Sequence, residues 1–116
     1  MPTQIEKAHD FRALHKRSGT FVIPNPWDPG SARLLAALGF EALTSTSAGF
    51  AFSRGLPDYG VGRDLILTHV ADLAAATDLP MAADLENGFG DAPETVAETI
   101  RLAGATGIVG DRKSVV

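Results

Sequence analysis

Met81-Ala82-Ala83-Asp84-Leu85-Glu86-Asn87-Gly88-Phe89-Gly90-Asp91 is an apolar run that ends in two carboxylates and breaks at once into a glycine-punctuated turn. Read as a strand, it alternates faces with period two, which points Asp84 and Glu86 the same way. Like charges side by side repel and are costly to desolvate. A hard divalent cation relieves both problems, and Mg²⁺ usually takes one or two carboxylates plus water and substrate oxygens. The plainer alternative is a solvated strand end whose Asn-Gly turn needs polar neighbours. The segment alone leaves both open.

Outward from this run, two periods alternate along the chain. Thr3-x-x-Glu6 is a capping-box pattern ahead of a helix carrying Ile5, Ala8, Phe11 and Leu14, with Gly19 as its stop. Phe21-Val22-Ile23 reads as a short strand. Asp28-Pro29 supplies an N-cap and first helical residue, with Leu34, Leu35 and Leu38 as the buried face before Gly39. Glu41 to Thr46 reads as a second strand, followed by a long glycine-rich loop. Asp64 then opens a helix whose stripe is Leu65, Ile66, Val70 and Leu73. Met81 to Leu85 is the third strand. Asp91-Ala92-Pro93-Glu94 repeats the cap, proline and capping-box signals for a helix to about Ala105, and Ile108-Val109 is a fourth strand.

Strand–helix alternation with short connections is the pattern of parallel βαβ units. A Rossmann sheet predicts a glycine fingerprint after the first strand, and Ile23-Pro24-Asn25-Pro26-Trp27 is not one. Polar residues gather after each strand instead: Asn25 and Asp28, then Thr46, Ser47 and Asp58, then Asp84 and Glu86. This is where an α/β barrel carries its active site. The expected fold class is therefore α/β, of the (β/α)8 TIM-barrel type, with about four βα units preceded by an N-terminal helix.

A chain of 116 residues is one domain at most. Hydrophobic residues at 45% and charged residues at 21% describe a soluble globular protein, and a formal charge of −4 argues against nucleic acid or an anionic membrane surface as partner. The absence of cysteine removes disulfides, thiolate zinc sites and a cysteine nucleophile. The charged start has no signal-peptide core, and no run reaches the ~20 apolar residues of a membrane span. A cytoplasmic protein is the expectation.

Several polar residues read as structural. His9, His15 and His69 have no partner spacing for a metal cluster and are expected at the surface or half-buried. Ser31, Ser45 and Ser53 lack a Gly-x-Ser-x-Gly elbow. Trp27 is open to packing beneath the first βα loop or bordering a substrate, with packing the simpler expectation. Arg54 and Arg63, flanking Gly55–Gly62, are open to either a solvated role or an anionic substrate.

The chain resembles the isocitrate lyase/phosphoenolpyruvate mutase superfamily, in its carboxyvinyl-carboxyphosphonate phosphorylmutase-like branch. The resemblance runs from Phe11 to Gly110. It rests on Pro24-Asn25-Pro26-Trp27-Asp28, Thr44-Ser45-Thr46-Ser47-Ala48-Gly49, Gly55-Leu56-Pro57-Asp58 and Ala83-Asp84-Leu85-Glu86-Asn87-Gly88-Phe89-Gly90, in family order. It implies Mg²⁺ and chemistry on small α-oxo or 2-hydroxy carboxylates, in which a C–C or P–C bond is cleaved or formed through an enolate. Asp84 matches the direct metal contact. Glu86 stands where many relatives have a second aspartate, and Asp58 matches a carboxylate that reaches the metal through water. Thr46, Ser47 and Ala48 match the turn that holds the substrate carboxylate. A homo-oligomer is also implied.

The departure lies beyond Gly110. Relatives continue with a Glu-Asp pair, a catalytic loop and further βα units, whereas this chain reads Asp111-Arg112-Lys113-Ser114-Val115-Val116, with Lys113 near the place of that glutamate. Residues 1–110 are thus expected to be the N-terminal half of a barrel and 111–116 a tail outside the pattern. Two alternatives accompany the enzymatic reading: a truncated, non-catalytic fragment, and a different Mg²⁺-dependent pyruvate-enolate aldolase barrel.

Overall fold

A computed structural model describes residues 1–112. Its elements in order are α1 (Gln4–Lys16), α2 (Pro29–Ala37), β1 (Leu43–Thr44), α3 (Ser47–Ser53), α4 (Arg63–Ala76), β2 (Met81–Asp84), α5 (Pro93–Gly104) and β3 (Gly110–Arg112). The strands form one parallel sheet in the order β1-β2-β3. Leu43 and Thr44 pair with Met81 and Ala82, while Ala82, Ala83 and Asp84 pair with Gly110, Asp111 and Arg112. Parallel strands joined through helices give the βαβ arrangement expected from the alternation.

One face of β2 feeds the core. Met81, Ala83 and Leu85 are buried with Leu43, Ile66, Val70 and Leu73, so the sheet packs on α4 through period-two positions. Ala82 and Asp84 alternate to the other face.

Local signals set the ends of the first two helices. Thr3 and Glu6 exchange reciprocal capping bonds, and Asp28 with Ser31 does the same ahead of Pro29. Two donations from Ser31 hold the Asp28 carboxyl below its ordinary range.

Several expectations need correction. Phe21–Ile23 is not a regular strand: the segment meets β1 through Thr44 N–H to Pro24 O (3.2 Å) and Asn25 Nδ2 to Thr44 O (3.2 Å). Pro24 and Pro26 bring no N–H to a ladder. The second strand is only Leu43–Thr44, because Thr46 turns out to cap α3, which occupies the start of the expected loop. The last strand lies at Gly110–Arg112, with Val109 N–H already bonded to Met81 O (2.9 Å). Gly62, not Asp64, precedes α4, and Ala92, not Asp91, is the N-cap of α5; neither makes a side-chain cap bond. On α2 it is Ala32 that is fully buried, while Leu34 and Leu38 are exposed. Lys113 lies outside the described residues.

The first helix docks in an unexpected way. Ile5 is exposed, and the buried residue of α1 is Lys7. Its Nζ donates to Ala74 O (3.2 Å) and Thr77 O (3.0 Å) at the C-terminal end of α4. Gln4 Nε2 likewise donates to O of Gly104 (2.9 Å), the last residue of α5, and to Ile108 O (2.8 Å) in the segment before β3. Helix ends leave carbonyls unpaired and partly negative, so an ammonium placed there satisfies both bonding and field.

Candidate active site

Three of the polar residues singled out by sequence, Ser47, Asp84 and Glu86, meet at the C-terminal edge of β1 and β2. Asp84 is the last residue of β2 and is 9% exposed. Its carboxylate is held on both oxygens. Ser47 donates to Oδ2 twice, from its backbone N–H (3.2 Å) and its hydroxyl (3.0 Å), and Glu86 N–H donates to Oδ1 (3.1 Å). Charge-assisted bonds of this kind are stronger than neutral ones and fix the carboxylate in place. Ser45, buried beside them, accepts Asp84 N–H on its Oγ (2.9 Å).

α3 delivers Ser47. Thr46 caps it, its Oγ1 accepting Gly49 N–H (3.1 Å), so the backbone turns inward immediately after β1. Gly49 is required there: a Cβ would overlap the Trp27 indole and the Thr46 methyl. Trp27 packs over this glycine and meets Phe52 edge-on at 6.3 Å, while remaining partly exposed. Ala48, half-buried, follows Ser47 in the same turn.

Glu86 departs from the period-two argument. β2 ends at Asp84, Leu85 packs into the core, and Glu86 takes φ +55° in the turn that follows. The left-handed region is sterically unfavourable for a residue with a Cβ. Glu86 is nonetheless 3% exposed. The turn is anchored from α5, where Thr99 Oγ1 donates to Gly88 O (2.7 Å) and the Val96 methyls fill the space a Cβ on Gly88 would need.

Asp58 is placed differently. It lies exposed in the connection between α3 and α4, with Oδ1 accepting Tyr59 N–H (2.9 Å). Among the described residues, no three of His, Cys, Asp and Glu converge closely enough to hold a metal ion between them. The donor chemistry still suits Mg²⁺. Asp84 is a rigid, hard oxygen donor with acceptor capacity remaining on Oδ1, and Mg²⁺ needs one or two carboxylates and keeps several waters.

Sequence reasoning missed Ser45, whose role depends on a partner 39 residues away, and misjudged His69. His69 is 5% exposed, stacked on Phe50 with centroids 3.9 Å apart, and its buried Nε2 has no hydrogen-bond partner among the described residues. Burial pulls its pKa down to about 4, against a smaller opposing pull from Asp72. Its neighbour Arg54 lies over the Phe50 ring, and Arg63 pairs with Asp64. His9 and His15 are exposed. Among the described residues no helix is long and apolar enough to cross a membrane.

Residues 11–112 match the family model for phosphoenolpyruvate phosphomutase. The crystal structure of a provisionally assigned lyase/mutase from Burkholderia cenocepacia J2315 superposes with a TM-score of 0.92 at 66% identity, over 93% of this chain and 39% of that one. The 2-methylisocitrate lyase of Bacillus subtilis is 37% identical over 89 residues, 76% of this chain and 30% of the relative. The structure of 2,3-dimethylmalate lyase, a member of the PEP mutase/isocitrate lyase superfamily, superposes with a TM-score of 0.80 at 27% identity, over 96% of this chain and 39% of that one. The chain spans about a third of the length of the curated relatives it matches.

Proposed function

The chain belongs to the phosphoenolpyruvate phosphomutase family of the isocitrate lyase/PEP mutase superfamily, and on that premise we propose Mg²⁺-dependent lyase or mutase chemistry on a small α-oxo or 2-hydroxy carboxylate. The observation that carries this reading is the Asp84 carboxylate, buried at the C-terminal end of a parallel strand and held by Ser47 and Glu86. An α/β barrel presents its reacting groups at that edge. We infer that the chain supplies the first βα units of such a barrel, working in the cytoplasm as a homo-oligomer, with neither nucleic acid nor membrane as partner.

Asp84 would be the direct Mg²⁺ contact, with Glu86 and Asp58 reaching it through water. When bound, Mg²⁺ supplies Lewis-acid stabilisation of the negative charge that develops as an enolate forms. The protein's own residues do the rest. The turn Thr46-Ser47-Ala48 would receive the substrate carboxylate beside Asp84 through donors other than those of Ser47, which Asp84 holds, and fixed donors aimed at developing negative charge each contribute about 3 kcal/mol in such sites. The packing of Trp27 on Gly49 sets the position of that turn.

The test is a panel of 2-oxo and 2-hydroxy acids assayed with Mg²⁺, using the chain alone and the chain joined to the remainder of the barrel from its Burkholderia relative. Turnover that needs Mg²⁺ and is lost in Asp84→Asn is expected. Turnover undiminished in Asp84→Asn would overturn the assignment.

A further inference from the structure

Ser47 spends both of its donors on one oxygen of Asp84. A carboxylate offers about four lone-pair directions, two on each oxygen. The backbone N–H and hydroxyl of Ser47 occupy both directions on Oδ2, and Glu86 N–H occupies one on Oδ1. One direction remains, on Oδ1. A cation reaching this carboxylate can therefore bind it through a single oxygen only.

We propose that Ser47 is a positioning residue that enforces one-oxygen binding at Asp84 and thereby selects Mg²⁺ over Ca²⁺; the proposal rests on the reading of Asp84 as a cation ligand. The selection follows from the two ions' coordination. Mg²⁺ requires near-octahedral geometry at short range and is served by a carboxylate that gives one oxygen. Ca²⁺ takes six to eight oxygens and gains from carboxylates that give two. Closing Oδ2 removes that second contact from Ca²⁺ and takes nothing from Mg²⁺. The hydroxyl is the selective element, since any residue but proline would bring the N–H. Both groups lie in buried surroundings, Ser47 at 4% and Asp84 at 9% exposure, so water does not readily replace the hydroxyl.

Mn²⁺, followed by water-proton relaxation, serves as the probe, with Mg²⁺ and Ca²⁺ titrated against it in the 116-residue chain and in Ser47→Ala. In the variant, Mg²⁺ should compete about tenfold less well, the order of loss seen when a group supporting a metal ligand is removed. Ca²⁺ should compete as well as before or better, so the Ca²⁺ preference rises about tenfold. Ser47→Cys, close in volume and a weaker donor, should shift the preference the same way and serves if the alanine variant folds poorly. A structural role alone moves both cations by one factor; that result, or no change, overturns the proposal and leaves Asp84 a ligand. Mn²⁺ binding that is absent from the unsubstituted chain, or that survives Asp84→Asn, overturns the proposal together with the function beneath it.

Discussion

Ser47 and Asp84, 37 residues apart in sequence, are joined by two hydrogen bonds to a single carboxylate oxygen. The pair joins the start of α3 to the end of β2, and so brings together two of the four sequence blocks that resemble the superfamily. A change at either residue is felt at the other.

Lys7 gives the first prediction. Its ammonium is buried against two carbonyls at the end of α4. Lys7→Met keeps the stem's packing and leaves those carbonyls unpaired, which should lower stability by about 1–3 kcal/mol. Urea unfolding measures the loss, and an unchanged midpoint would show that water replaces the ammonium at no cost.

His69 gives a pH dependence. Its folded pKa lies near 4, below the ordinary 6.5. Depressed in the folded state, it binds fewer protons there than in the unfolded chain, so its contribution is complete above about pH 6.5 and is lost as the pH falls toward 4. Across that window the loss approaches about 1.4 kcal/mol per pH unit. His69→Phe should flatten the acid limb of a stability–pH curve; a limb of unchanged slope would mean the imidazole is not responsible.

Gly49 is the third. A Cβ there would overlap Trp27 and Thr46. Gly49→Ala should cost about 1–3 kcal/mol through forced repacking. Trp27 is the chain's one tryptophan, so its fluorescence reports the displacement directly. A variant with the parent's emission maximum and stability would show that the indole does not rest on this glycine.

Glu86 separates backbone from side chain. At φ +55° a Cβ is strained. Glu86→Gly should therefore be more stable than Glu86→Ala by about 1 kcal/mol, although both lose the same carboxylate. Equal thermal midpoints for the two variants would remove the strain argument.

What could be read from sequence was local. The capping box at Thr3 and the N-cap at Asp28 rest on residues three positions away, and both form, whereas the cap pattern at Asp91 does not. The parallel βαβ order followed from alternating periods that survive short-range inspection. The strand and site misreadings depended on distant partners or on where an element ends. Phe21–Ile23 has strand composition, yet the prolines beside it withhold N–H groups from β1. α3 was missed because Ser47–Ser53 is too short to show a period and its cap is a threonine also suited to a strand. At the candidate site, Asp84 was legible from its place after an apolar run. Its coupling to Ser47 was not, since no spacing encodes a contact across 37 residues. The period-two argument for Glu86 failed because β2 stops two residues earlier.

The docking of α1 carries a consequence for synthesis. Gln4 and Lys7 find their carbonyl partners 67 to 104 residues further along the chain. A ribosome adds about 5–20 residues per second, so α1 leaves the exit tunnel several seconds before the helix ends it caps exist. During that interval its lysine is solvated, because the carbonyls that receive it are not yet made. The first helix made is thus among the last to be seated, and a nascent-chain proteolysis series should find it cleavable until α5 has emerged.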